Sequence, residues 1–203
     1  MDLIYRDDSL LVANKPAGLL AVPGRGPDKQ DCLSARVQAE FADALVVHRL
    51  DMATSGLVVS GRGAEMQRRL SRLFHDRKVE KRYVAVAAGK LTPDTGEISL
   101  PLIADWPNRP LQMVDRERGK HSLTRYRVLT YDADADVTRV ELEPITGRTH
   151  QLRVHLASIG HPIAGDALYG GIPTERLMLH ASWLSFQHPR TGAALDFISD
   201  APF

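Results

Sequence analysis

The sequence predicts an α+β fold with a mixed, mainly antiparallel central sheet flanked by helices. Apolar runs of strand length outnumber those with helical spacing, and the two kinds do not alternate regularly as they do in a doubly wound parallel sheet. At the start, "LIY" and "LLVAN" bracket the polar "RDDS" and predict a hairpin, closed by a turn at Lys15-Pro16-Ala17-Gly18. Residues 23–31, "PGRGPDKQD", form a Pro/Gly-rich loop, after which Leu33, Val37 and Phe41 repeat with helical spacing. "ALVV" and "GLVVS" predict two strands separated by a polar insertion. "GAEMQRRLSRLF" then predicts an amphipathic helix with Met66, Leu70, Leu73 and Phe74 on one side and arginines on the other.

From Tyr83 onward the pattern changes to strands: "YVAVAAG", "EISLPLI", "SLTRYRVLTYD" and "VTRVELEPI", the last alternating through Thr138, Val140 and Leu142. Residues 150–160, "HQLRVHLASIG", predict a second amphipathic helix stopped by Gly160 and Pro162. "LMLHASWLSFQ" predicts a last long strand.

A chain of 203 residues with 43% hydrophobic and 25% charged residues suits one domain, or one domain with two lobes, and can bury a substantial core. The single cysteine, Cys32, has no partner for an internal disulfide and argues against a cysteine-rich zinc site. No apolar run approaches the roughly 18 residues of a membrane span, and the N-terminal stretch is acidic where a secretory signal is basic. The expectation is a soluble cytoplasmic protein. Its net charge is only +1, but residues 62–82 hold eight basic against three acidic residues, a net +5 that leaves −4 for the remainder. Such a strip is either a solvated helix face or a surface for phosphates.

Three constellations could carry chemistry. "VVHRLDMATSGLVV", residues 46–59, sets His48, Arg49, Asp51, Thr54 and Ser55 between apolar runs. Asp51 fits a turn cap or ion-pair partner as well as a catalytic carboxylate. A kinase catalytic loop does not fit, because Leu50 separates Arg49 from Asp51 and no phosphate-binding loop accompanies them. "ITGRTHQLRVH", residues 145–155, opens into a helix carrying Arg148, His150, Gln151, Arg153 and His155. Histidines five apart do not share a helix face, which disfavours zinc, and arginines in a first helical turn call for an anionic partner. "KVEKRYVAV" places Tyr83 at a strand start beside the basic helix, as a core residue or as a stacking platform for a base.

Together, "HRLDMATSGLVV", "KRY", "GRTHQLRVH", "HPIAGDALYG" and "LMLHA" resemble the RluA-type family of RNA pseudouridine synthases, in the same order and over nearly the whole chain. The resemblance implies the pseudouridine synthase catalytic fold as a single domain over residues 1–203, without an N-terminal S4-type RNA-binding domain. It implies isomerisation of uridine in structured RNA, with no cofactor and no metal. Asp51 becomes the catalytic aspartate, Arg153 its guanidinium partner, and Tyr83 the tyrosine that stacks on the target base and assists proton removal. Arg49 is expected to fill the place of the flipped base and Leu179 to supply an apolar wall. Arg148, His150, Gln151, Arg69 and Arg72 join the expected RNA contacts, with phosphates also meeting the "PGRG" loop.

"LPLIADWPNRP", residues 100–110, is similar to single-domain members that act on a transfer RNA anticodon loop and on large-subunit (23S) ribosomal RNA. A monomer without membrane association is expected. Two rival readings are a noncatalytic RNA-binding module, for which the basic helix would suffice, and a glycoside hydrolase. The latter normally needs two carboxylates, one of them protonated, whereas the motifs offer one aspartate among arginines.

Overall fold

The computed structural model describes residues 2–203, which fold as two compact units. One comprises residues 2–81 and 181–202, the other residues 82–180 and Phe203. Among the described residues no helix is long and apolar enough to cross a membrane.

The first unit opens with the expected hairpin, β1 (Asp2–Arg6) paired antiparallel to β2 (Leu10–Lys15). Asp7 closes it by accepting the backbone N–H groups of Ser9 (2.6 Å) and Leu10 (2.8 Å), the local bonding that makes Asp a turn former. Helix α1 (Leu33–Glu40) is capped by the Cys32 sulfur, which accepts the Ala35 N–H. β3 (Ala44–Val46) and β4 (Ser55–Arg62) are the two strands around the polar insertion, followed by α2 (Gly63–His75). β11 (Leu179–Gln187) begins in the second unit and continues in the first, where it adjoins β4 and pairs with β12 (Ala194–Ile198). The order here is β1-β2-β4-β11, with β3 on β4 and β12 on β11.

The core of this unit gathers Leu10, Val12, Leu57 and Val59 from the strands, Leu70 from α2, and Leu184, Phe186 and Phe197 from the C-terminal strands. Burying a side chain such as Leu70 contributes about 1.5–3 kcal/mol, which is how the apolar stripe of α2 docks the helix and turns its arginines outward. Gly56 permits the closest approach: a Cβ there would lie 2.3 Å from the Ala181 carbonyl oxygen, and its φ is +116°.

The second unit contains β5 (Glu80–Ala88), whose first residues lie in the other unit, then β6 (Thr95–Ser99), β9 (Leu123–Asp132) and β10 (Val137–Pro144), in the antiparallel order β5-β10-β9-β6. The alternation expected of β10 holds, with Thr138, Val140, Leu142 and Pro144 buried and the residues between them more exposed. A separate hairpin pairs β7 (Leu102–Ala104) with β8 (Gln112–Val114).

Three expectations change. "EISLPLI" is two strands, because Pro101 has no N–H to continue a ladder and its carbonyl instead accepts the Asp115 N–H. β8 and β12 lacked an alternating apolar pattern long enough to announce them. α3 (Gln151–Ser158) is not amphipathic: all six residues from Gln151 to Leu156 are buried, so polar side chains on every face must find partners inside the protein.

Candidate active site

In the first unit, the segment between β3 and β4 is pinned from several directions. His48 Nε2 accepts the Val59 N–H of β4 at 3.0 Å, and its ring stacks on Phe74 of α2 with centroids 4.3 Å apart. The ring is therefore neutral: burial, and then the nearby Lys81 charge, lower its pKa to about 3. Lys15, fully buried, donates through Nζ to the carbonyls of Leu19 (2.7 Å), Pro16 (3.0 Å) and Met52 (3.0 Å). The Met52 carbonyl also accepts the Gly18 N–H, while the Thr54 N–H donates to the Asp51 carbonyl. The backbone from Asp51 to Thr54 is thus held by hydrogen bonds, with Leu50 inside, Asp51 half-buried and Arg49 exposed. On α2, Arg68, Arg69 and Arg72 are exposed, but Arg69 pairs with Glu65 (2.6 Å) and donates to the Pro189 carbonyl (3.0 Å).

In the second unit, α3 follows β10 through a tight turn, and His150, the residue before the helix, is left-handed at φ 53°, ψ 17°. Such a conformation costs a non-glycine residue about 1–2 kcal/mol, so contacts must hold it. The Tyr169 hydroxyl lies 2.7 Å from His150 Nδ1, with the rings edge to face. Arg153, buried, makes a bidentate pair with Asp166, Nε to Oδ2 at 2.8 Å and Nη2 to Oδ1 at 2.7 Å. The Asp166 side chain is wholly buried, and its Oδ1 also accepts the N–H groups of Leu168 and Tyr169. The guanidinium of Arg153 sits over the Tyr169 ring, 5.2 Å from its centroid.

Several expected RNA contacts have other work. Gln151 is buried with its amide spent inside the protein: Oε1 accepts from Thr146 Oγ1 (2.7 Å) and the Arg148 N–H (3.0 Å), and Nε2 donates to the Leu123 carbonyl and Thr124 Oγ1 (3.0 Å each). It closes the turn into α3, since a buried amide must use its donors and acceptor locally. His150 is turned to Tyr169 by the bond above. His155 is likewise structural: Nε2 donates to the Leu100 carbonyl (3.0 Å), Thr124 bonds Nδ1 (2.9 Å), and burial lowers its pKa. Arg148 is exposed and donates from Nε to the His121 carbonyl (3.3 Å). Tyr83 is half-buried on β5 opposite Leu142, and Leu179 is buried at the start of β11. Among the described residues no group of three His, Cys, Asp or Glu is gathered to hold a metal ion.

The pattern that describes the family of RNA pseudouridylate synthases matches residues 9–158, three quarters of the chain. The chain belongs to that family. Proteins called dual-specificity RNA pseudouridine synthase RluA are similar over almost all of it. The one from Yersinia pestis is 48% identical over 207 residues, covering 100% of both chains. The one from Escherichia coli K12 is 46% identical over 205 residues, covering 99% of this chain and 93% of its own. The solved structure of human RNA pseudouridylate synthase domain containing 1 is 29% identical and superposes with a TM-score of 0.82, covering 100% of this chain and 84% of that one. As an RNA pseudouridine synthase, the protein is an isomerase of uridine in RNA.

For this synthase, sequence reasoning passed over Asp166, Tyr169 and Lys15. The first two stand inside "HPIAGDALYG", and the signal available was a carboxylate and an aromatic ring close after an arginine that needed an anionic partner. Lys15 gave no signal, because a lysine beside Pro-Ala-Gly is ordinarily an exposed turn residue.

Proposed function

We propose that this synthase converts a uridine to pseudouridine in a transfer RNA anticodon stem-loop and another in a hairpin of 23S ribosomal RNA. The observation that carries this reading is the likeness along the whole chain to two relatives called dual-specificity. The reaction breaks the bond between uracil N1 and ribose C1′ and joins C1′ to C5. C5 gives up a proton and N1 takes one, so no atom is gained or lost. Asp51 is the carboxylate that acts on the uridine, supported by the guanidinium of Arg153. Tyr83 stacks on the target base and assists removal of the C5 proton.

The uridine leaves its stack first, at a cost of a few kcal/mol that is smallest in a loop, and Arg49 takes its place. Leu179 forms an apolar wall behind the base. Arg72, Arg68 and Arg148 hold phosphates, which positions RNA without reading its sequence. The protein acts as a cytoplasmic monomer. The pinned backbone around Asp51 and the clamped Arg153 favour chemistry over mere RNA binding, because both keep reacting groups in one orientation.

The test is Asp51→Asn. Release of tritium from [5-³H]uridine-labelled RNA should cease while RNA affinity stays within about twofold, since one neutral carboxamide alters few phosphate contacts. A substituted protein that isomerised at the normal rate would overturn the mechanism. Loss of pseudouridine from ribosomal RNA alone, in cells lacking the protein, would remove the transfer RNA half.

A further inference from the structure

We infer that Tyr169 is a positioning residue for Arg153, and that its hydroxyl ties the β7–β8 hairpin and the strained entrance of α3 to that guanidinium. This rests on the reading in which Arg153 supports the reacting carboxylate. Tyr169 makes four separate connections. Its ring lies under the Arg153 guanidinium at 5.2 Å. Its backbone N–H donates to Asp166 Oδ1, the same oxygen that receives Arg153 Nη2. Its hydroxyl oxygen accepts the Gln112 N–H of β8 at 2.9 Å. The hydroxyl is also hydrogen-bonded to His150 Nδ1 at 2.7 Å, at the left-handed residue three positions before Arg153.

Remove the hydroxyl and the ring still covers the guanidinium, but two anchors go at once. Gln112 loses its acceptor, freeing β8 from the loop that holds Asp166. His150 loses the bond that offsets its backbone strain, so the start of α3, and with it Arg153, gains freedom. Arg153 points where its helix and Asp166 send it, and misplacement of a charged group by a fraction of an ångström is felt in the chemical step before it is felt in RNA affinity. A stretch of chain at β8 is thereby connected to the catalytic guanidinium by one side chain.

The test compares Tyr169→Phe and Tyr169→Leu with the unsubstituted full chain. Single-turnover isomerisation of a labelled stem-loop at saturating enzyme should slow by about ten- to a hundredfold in Tyr169→Phe with RNA Kd unchanged, and further in Tyr169→Leu, which also removes the ring. In ¹⁵N spectra of Tyr169→Phe, hydrogen exchange of Arg153 Nε–H and of the Gln112 amide should rise together by about tenfold, the consequence of losing one shared bond. An unchanged rate overturns the inference. So does faster exchange at Gln112 with Arg153 and turnover unaffected, which would make Tyr169 a latch for the hairpin alone. A weaker Kd with an unchanged rate also overturns it, by assigning Tyr169 to RNA binding. If the unsubstituted protein isomerised no uridine, the functional reading would fail, and the two exchange rates would still decide whether Tyr169 fixes Arg153.

Discussion

Replacing Asp166 with alanine should destabilise the protein severely, and the size of the loss follows from the contacts. Arg153 and Asp166 have side-chain exposures of 6% and 0%, and their two bonds are 2.7 and 2.8 Å long. Removing the carboxylate takes from the buried Arg153 the two charge-assisted bonds that fix it, at a cost of about 3–5 kcal/mol. The N–H groups of Leu168 and Tyr169 lose their acceptor as well, adding about 1–2 kcal/mol together. The sum, about 4–7 kcal/mol, is a large part of the 5–15 kcal/mol that typically holds a fold.

Urea unfolding followed by circular dichroism measures the loss as a shift in midpoint at constant slope. The double variant Arg153→Met/Asp166→Leu should recover most of the loss, because neither member of this ion pair then remains without the other. Recovery of stability without recovery of isomerisation would separate the two duties of Arg153. A loss under about 1 kcal/mol for Asp166→Ala, or a double variant as unstable as the two single losses added, would refute the argument that burial makes this pair interdependent.

The neutral His48 makes stability depend on pH. Its folded pKa, about 3, lies below the ordinary 6.5, so the unfolded chain takes up a proton first. Its contribution is complete above about pH 6.5 and is lost as pH falls toward 3, at up to about 1.4 kcal/mol per pH unit. His48→Phe, which keeps the stack on Phe74, should flatten the decline between pH 6.5 and 5 in urea titrations; parallel curves would contradict this. Gly56→Ala should cost about 3 kcal/mol or more, read as a lowered Tm, since its Cβ would collide with the Ala181 backbone at a positive φ; an unchanged Tm would contradict the close approach. Arg72→Ala should reduce the slope of log K against log salt for RNA binding by about 0.7–0.9, one phosphate contact. Arg69→Ala should change it less, because Glu65 and the Pro189 carbonyl already engage that guanidinium; equal effects would remove the distinction.

Most of the strand inventory was legible because alternation and turn residues act locally: "LIY" and "LLVAN" around Asp7, or Thr138, Val140 and Leu142 along β10, have few other ways to bury their apolar faces. The family was legible because its motifs are long and ordered. The α+β class followed from the same patterns. What the sequence could not rank was polar residues against one another, since a histidine or glutamine spends its hydrogen bonds according to neighbours far along the chain. His48, without a role in the linear motif, proved to be a neutral pin between β4 and α2. Gln151, expected on RNA, is consumed by Thr146, Arg148, Leu123 and Thr124. Arg153 was recognisable as an arginine in want of an anion, but only folding brings Asp166, thirteen residues later, to within 2.7 Å of it. Local sequence thus determined where strands and motifs fall, while the tertiary structure decided which polar groups are sealed from water and so must bond to one another.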